Sequence, residues 1–552
     1  MLRLLLGRAG AGKSTAILRR IAASGGARRQ LLIVPEQASH ETERRLCAVA
    51  GNQVSLYAEV LSFTRLGSRV FSQAGGLAAP ALDPGGRLLL MCAALKSVSG
   101  SLTVYARPSR KPAFLTGLLA TLDECKQYQV FPDDLARAGE AVEGREGEKL
   151  RDLGLIFGAY EALSARTAAD PRDRITRLAQ GLKECGYARG MDIYIDGFTD
   201  FTPQQGLVLR ALLRQAESVT VALTSDRLDR DTGASNIFAP ARRTAAYLRR
   251  MAGEEHVPAE AEYLPQRGEG RSAALARLEA NLFADVPAAA ASPAPEIGLF
   301  SALRPRSEVE YAASEVLRLV REEGCRFRDI ALVARGFERY APLVEEIFPR
   351  YGIPVFLDAM TDILQKPVFA VVTGALDVVA RGYSYDDVFR YLKTGLAGVS
   401  RGECDELENY VLKWGIKGNR WTAKADWDMH PRGYGFPMTG PDREWIARVN
   451  EARRKVVGPL EGLRKNRDRT GRGQAMALYR FLESIRLPEQ LAERSERLRA
   501  RGELKRAEEY GQLWEILCGG LEQCAGLLGE EPMELQEFAQ LFKLVLSQYD
   551  VG

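Results

Sequence analysis

The chain opens on a short apolar run, Leu2-Arg3-Leu4-Leu5-Leu6, that passes directly into Gly7-Arg8-Ala9-Gly10-Ala11-Gly12-Lys13-Ser14-Thr15. Beyond Thr15 the apolar residues recur at helical spacing, so the pattern predicts strand, glycine-rich loop and helix in that order. Leu31–Val34 predicts a second buried strand, closed by Pro35-Glu36-Gln37, and Ala58–Phe63 a third that leads into Arg65–Val70. From about 85 to 190 the period changes. Leu115, Leu118, Leu119 and Leu122, then Leu150, Leu153, Ile156, Phe157 and Tyr160, stand three and four apart, which predicts helices. The strand pattern resumes at Asp192–Asp196 and Ser218–Thr224. Strands alternating with helices predict an α/β domain over 1–286 with a parallel sheet, a helical insertion at about 85–190, and ligands at the carboxyl ends of the strands.

The proline- and alanine-rich stretch 287–295 predicts a linker. Beyond it a second α/β unit is expected over 296–552. Its strands are placed at 297–301, 329–334 and 354–357, its helices at 307–322 and 337–351, with a mainly helical insertion from about 367.

The glycine loop fits Gly-x-x-x-x-Gly-Lys-Ser, the P-loop or Walker A pattern, in the strand–loop–helix context that pattern requires. Residues Gly7, Arg8, Ala9, Gly10, Ala11, Gly12, Lys13, Ser14 and Thr15 are the expected nucleotide-binding set. Glycines let backbone N–H groups close on a phosphate, the new helix favours the anion, Lys13 reaches the terminal phosphates, and Ser14 offers its hydroxyl to Mg²⁺. The plain alternative is a glycine-rich turn that binds nothing. ATP with Mg²⁺ is the expected cofactor. Asp196, after Ile193-Tyr194-Ile195, is the candidate carboxylate for the metal, the alternative being a cap at a strand end. A hydrolysing motor of the helicase type carries a glutamate next, to orient the attacking water. Here Gly197 follows, and loss of a positioned base costs about 10²–10⁴-fold in rate. Gln204, Gln205 and Asp200 are the polar groups left to substitute, so no catalytic residue is assigned and a site that holds nucleotide with little turnover is expected.

Composition narrows the field further. Lys and Arg number 76 against 72 Asp and Glu, so any basic surface must be local. The eight cysteines lack a C-x-x-C pair and the three histidines are far apart, which argues against a zinc site, a disulfide framework or a histidine nucleophile. No apolar run approaches a membrane span, and the cytoplasm is the expected location.

With the P-loop, Pro35-Glu36-Gln37, Glu59-Val60-Leu61-Ser62-Phe63-Thr64-Arg65-Leu66 and Ile195-Asp196-Gly197-Phe198-Thr199-Asp200-Phe201-Thr202-Pro203-Gln204 in this order, the chain resembles AddB of the bacterial AddAB helicase–nuclease. Arg306–Ala313, Ile330–Arg335, Leu392-Lys393-Thr394-Gly395-Leu396 and Leu407–Gly418 are similar to the same family, so the likeness spans the chain. The resemblance implies two P-loop, RecA-like domains of the superfamily 1 helicase type with large helical insertions. It implies a subunit of an ATP-dependent helicase–nuclease for repair of double-strand breaks by recombination. That subunit pairs with AddA, meets duplex ends and scans single-stranded DNA for a Chi-type signal, with little helicase activity of its own. A nuclease with an iron–sulfur cluster is expected only in a C-terminal half beyond Gly552.

For single-stranded DNA the expected contacts are Gln37, Ser39, Phe63, Arg65, Phe198 and Phe201, with Arg69 nearby. Cations serve phosphates and aromatic faces serve bases, while Gln37 and Arg65 can make paired hydrogen bonds to base edges. The phenylalanines can equally be core. Trp414, Trp421, Trp427 and Trp445, interleaved with Lys413, Lys417, Arg420 and Lys424, form a second candidate, with an aromatic core under solvated lysines as the simpler reading. The basic stretch 464–472 suits either phosphate contact or a solvated loop. Three rivals remain open: an active translocase, a small-molecule P-loop enzyme and a scaffold with a vestigial loop.

Overall fold

The computed structural model describes all residues except 77–80, 107–111, 229–235, 266–271, 284–292, 358–360, 363–365 and 552. In chain order the first part contains β1 (Leu2–Gly7), α1 (Lys13–Ala23), β2 (Gln30–Ile33), α2 (Ser39–Ala50), β3 (Ala58–Leu61) and α3 (Phe63–Ala74). Helices α4 (Pro84–Val98), α5 (Pro112–Tyr128), α6 (Pro132–Ala141), α7 (Arg145–Thr167) and α8 (Arg174–Cys185) follow. The sheet then resumes with β4 (Asp192–Ile195), α9 (Pro203–Gln215), β5 (Ser218–Thr224), α10 (Ala239–Glu254) and β6 (Ala259–Tyr263).

Six strands in the order β3-β2-β4-β5-β1-β6 form one sheet, and every pairing is parallel. The near-continuous apolar runs of β1, β2 and β5 fit strands covered on both faces. Leu4 and Leu6 face one apolar layer with Ile193, Ile195 and α3, α8 and α9, while Leu5 faces the other with Ile17, Ile21 and Leu32. The expected strand Ala58–Phe63 stops at Leu61. The Ser62 hydroxyl accepts the Arg65 N–H at 3.2 Å, so the serine caps a helix that begins at Phe63. Strand β6 was not expected. Its Ala-Glu-Ala-Glu-Tyr sequence is that of a sheet edge, and its polar positions are partly exposed.

Contacts divide the chain into two units, Met1–Arg267 with Asp362–Val551, and Gly268–Thr361. This differs from the expected second domain over 296–552. Helices α4–α7 share one core with later helices, joined through Leu88, Met91, Phe157 and Tyr160 on one side and Phe369, Tyr391, Leu513 and Phe542 on the other. Two helical segments that each bury one face are completed by each other. Sequence spacing shows that a face is apolar but not which partner covers it. No helix among the described residues is long and apolar enough to cross a membrane.

The smaller unit contains α11 (Ala273–Asn281), α12 (Pro305–Glu322) and α13 (Ala341–Arg350). Val309, Ala313 and Val316 of α12 pack on Val344, Ile347 and Phe348 of α13. The strands expected at 297–301, 329–334 and 354–357 are not formed, so a second RecA-like sheet is absent from the described residues. Leu299, Val333 and Phe356 stand exposed there. An apolar extended segment becomes a strand only when a neighbour takes its hydrogen bonds, and these have none. The linker expected at 287–295 lies mostly outside the described residues.

The remaining helices are α14 (Pro367–Ala380), α15 (Tyr385–Leu392), α16 (Arg401–Trp414), α17 (Gly440–Arg464), α18 (Gly471–Ser484), α19 (Leu487–Ala500), α20 (Leu504–Leu527) and α21 (Leu535–Leu546). In the basic stretch 464–472 three of the four arginines are paired: Arg464 with Glu461, Arg469 with Glu534 and Arg472 with Glu530.

One buried charge cluster joins the helical body to the sheet. Asp170 is 1% exposed and takes Arg87 at 2.9 Å, Lys126 at 3.2 Å, the Tyr160 hydroxyl at 2.9 Å and the Arg172 N–H at 2.9 Å. Burial alone would raise the Asp170 carboxyl, but Lys126 and Arg87 outweigh it and hold it below the usual carboxylate range. A depressed carboxyl contributes stability that is present above its unfolded pKa and lost as pH falls through the folded one. Asp170→Asn should cost about 3–5 kcal/mol at neutral pH, because it strands two buried cations. Urea unfolding should also show that the variant loses less stability than the parent below about pH 4.

Candidate nucleotide and nucleic-acid site

Because all six strands are parallel, the loops after β1, β2, β3, β4 and β5 leave the same edge of the sheet. The loop after β1 is built as a cradle. Gly10 and Gly12 have φ of 78° and 84°, in the left-handed region that favours glycine. A Cβ on Gly7 would stand 2.8 Å from the Ala11 Cβ, so the turn closes only over a bare backbone. Helix α1 starts at Lys13 behind Gly12, which has no side chain to cap it. Lys13 Nζ donates to the carbonyls of Gly7 at 2.8 Å and Arg8 at 3.0 Å, so the ammonium is folded over the loop. These features fit a phosphate chain, with Ser14 and Thr15 in the first turn of the helix. The Arg8 guanidinium lies 5.3 Å from the centre of the Phe238 ring.

Asp196 follows β4, which is separated from β1 by β5 alone, or about 10 Å at ordinary strand spacing. Its Oδ1 accepts the Gly197 N–H at 2.9 Å, and it makes no ion pair among the described residues. The cap reading is thus met, and the bond to Gly197 occupies Oδ1 alone. Backbone geometry disfavours any side chain at the glutamate position. Gly197 has φ of 84°, and a Cβ there would stand 3.0 Å from Pro35 Cδ. Two of the three polar groups expected to substitute are committed elsewhere, while Asp200 is exposed with no ion pair among the described residues. Gln204 is buried and donates to the Arg172 carbonyl at 3.0 Å and the Thr176 hydroxyl at 3.1 Å, while Gln205 accepts the Thr202 N–H as part of a capping box.

Sequence reasoning missed Ser225 and Asp226, at the end of β5 and beside the P-loop strand. The Ser225 N–H donates to the Gly7 carbonyl at 3.3 Å, and its hydroxyl is buried. Burial would raise the Asp226 carboxyl, but Arg242 at 2.7 Å and backbone N–H groups hold it below the usual range. The rule that picked Asp196, a carboxylate straight after a buried strand, picks Asp226 as well. Its pairing to Arg242 leaves Asp196 as the freer of the two.

The six residues expected to meet DNA gather at the ends of β2, β3 and β4, yet they divide into two kinds. Gln37 and Arg65 are exposed, and Arg65 makes no ion pair among the described residues. Arg69 is tied to Glu59 at 3.3 Å. Ser39 is buried and donates to the Glu36 carbonyl at 2.9 Å, so its hydroxyl closes a turn. Phe63 is 5% exposed and meets Phe198 edge-on at 5.5 Å, and Phe198 meets Phe201 at 5.4 Å. Phe63 is thus core, while Phe198 and Phe201 are half-buried and close the row at the surface. No group of three metal-binding side chains occurs among the described residues.

The family model for the N-terminal part of AddB matches residues 4–279, which takes in the sheet from Leu4 of β1 onward and the glycine loop. The chain belongs to the AddB family. Among AddB relatives, the B subunit of the ATP-dependent helicase/deoxyribonuclease of Acetivibrio thermocellus is 33% identical over 565 residues, covering 100% of this chain and 49% of the relative. The same-named proteins of Clostridium botulinum and Caldanaerobacter subterraneus are 31% and 33% identical, again over the whole chain and 49% and 48% of their own lengths. The chain spans about half the length of the curated AddB relatives it matches.

The geometry separates structural from surface roles. Phe63→Ala should cost about 3–5 kcal/mol in urea unfolding, as a lost core aromatic does, whereas Arg65→Ala should stay within about 0.5 kcal/mol.

Proposed function

We propose that this AddB chain is the DNA- and nucleotide-binding part of an ATP-dependent helicase–nuclease subunit acting in recombinational repair of double-strand breaks. In this reading it pairs with an AddA-like subunit and scans single-stranded DNA for a Chi-type signal. ATP and Mg²⁺ are held by the Gly7–Thr15 cradle and Asp196, and the site works as a sensor with little turnover. The observation that carries this reading is the backbone at Gly197: where a motor places its water-orienting glutamate, the chain adopts a conformation that disfavours side chains, against the Pro35 ring. Membership of the family and the relatives' name supply the DNA-repair setting.

When bound, the metal would offset phosphate charge. The chain's own groups then have simple tasks. The loop N–H groups and Lys13 bind and orient the phosphates, Ser14 and Asp196 face the cation, and Gly197 offers no side chain to take a proton from water. The polar surface of Gln37 and Arg65, beside the half-buried Phe198 and Phe201, reads bases and phosphates.

Thermal unfolding with Mg-ATP tests binding: at a hundredfold excess over Kd the folded state gains about 2.7 kcal/mol, and Lys13→Ala removes the gain. DNA-stimulated ATPase activity should stay at background, and Gly197→Glu should not create it. Robust turnover that disappears in Lys13→Ala would show an engine instead. For DNA, Arg65→Ala should weaken binding and reduce the salt slope by about 0.7, the share of one single-strand phosphate contact.

A further inference from the structure

The segment from α16 into α17 carries the tryptophan-rich stretch, and the structure divides it into an anchored base and a displayed surface. Trp421 and Trp427 are buried. Asn450 of α17 clamps Trp427, accepting its N–H and donating to its carbonyl, both at 2.8 Å. Arg453 lies 5.0 Å from the Trp427 ring centre and donates to the Ala425 carbonyl at 3.1 Å. The Tyr410 hydroxyl bonds the N–H and the carbonyl of Met429, each at 3.0 Å. The simpler reading of these two tryptophans, an aromatic core, therefore describes the base.

The surface above that base is of another kind. Tyr434 is 89% exposed, between Gly433 and Gly435 with φ of 113° and 84°. Its ring meets the half-buried Trp414 edge-on at 4.8 Å. Phe436, 51% exposed, stacks on the buried His430 at 5.7 Å, with Arg432 on the ring at 5.8 Å. His430 is itself held, accepting the Arg432 N–H at 3.1 Å and lying 3.3 Å from Asp442. Two aromatic rings are thus presented to solvent on a supported loop.

The charge along this stretch is mainly positive, with Asp428 making no ion pair among the described residues. Residues 410–443 hold six cations (Lys413, Lys417, Arg420, Lys424, Arg432 and Arg443) against three carboxylates. Of the carboxylates, Asp426 pairs with Arg454, and Asp442 is engaged by His430 and Arg432. Lys417 and Lys424 have no ion-pair partner among the described residues.

We infer that this face is a second contact for single-stranded nucleic acid, with a base stacked on Tyr434 and phosphates met by Lys417 and Lys424. The inference rests on the DNA-binding reading above and adds a site away from the sheet edge. Protein interfaces also favour tyrosine and tryptophan, but their cores are depleted in lysine, and here Lys413 donates to the Pro431 carbonyl at 2.9 Å beside this loop, with Lys417 and Lys424 close in sequence. Stacked aromatics interleaved with uncommitted cations are the pattern of single-strand grooves.

The test uses the full chain and an oligothymidylate carrying 5-iodouracil. Photocrosslinking should map to the peptide holding Tyr434, and Tyr434→Ala should weaken binding about tenfold without changing its salt slope, while Tyr434→Phe keeps it. The Lys417→Gln/Lys424→Gln pair should flatten the slope by about 1.4. Unchanged affinity in Tyr434→Ala, with crosslinks confined to peptides around Gln37 and Arg65, would overturn this inference and leave the first DNA site standing. No binding by the parent chain at low salt would overturn both.

Discussion

The parallel sheet constrains everything else. With every strand running the same way, the chain must place its loops after β1, β2, β3, β4 and β5 along one edge, where no strand pairing is left to satisfy their backbone. The glycine loop, Asp196, Asp226 and the exposed Gln37 and Arg65 share one end of the sheet for that reason, although about 190 residues separate Gly7 from Asp196 in sequence. The same edge imposes the limit on chemistry. Asp196 and Gly197 lie where β4 must turn past Pro35, and the turn needs a left-handed residue. That turn accommodates Asp196, whereas a side chain in place of Gly197 would be strained.

The edge is also wired into the helical body by contact. Helix α9 begins directly after the Asp196–Phe201 turn, and its Gln204 donates to the carbonyl of Arg172. The Arg172 N–H in turn donates to the carboxylate of Asp170, which holds Arg87 of α4 and Lys126 of α5. A buried carboxylate shared by two cations and a tyrosine needs closely defined geometry, since each partner left alone would carry a large desolvation cost. This arrangement gives the two halves of the larger unit one preferred orientation.

Much of this was legible from residue patterns. Strands β1, β2, β4 and β5, the P-loop and Asp196 follow from apolar runs ended by glycine or acid, because a strand buried on both faces leaves a strong local signal. What escaped has a nonlocal cause. Edge strand β6 alternates alanine with glutamate and reads as polar. Phe63 and Ser39 look like surface chemistry, but burial depends on neighbours such as Phe198 that arrive 135 residues later. Segments 297–301, 329–334 and 354–357 carry a strand's composition and lack the partners that make one. The merger of α4–α7 with the helices beyond 367 is equally invisible to periodicity, which shows an apolar stripe without naming its mate.

The central claim is a cradle that grips a triphosphate beside a carboxylate with no catalytic companion. A structure of the chain with Mg²⁺ and a non-hydrolysable ATP analogue measures it directly. The account predicts Lys13 released from the Gly7 and Arg8 carbonyls onto the phosphates, Asp196 facing the metal, and no carboxylate aligned with the attacking water. An empty cradle, or an acidic side chain poised in line with the terminal phosphate, would contradict it.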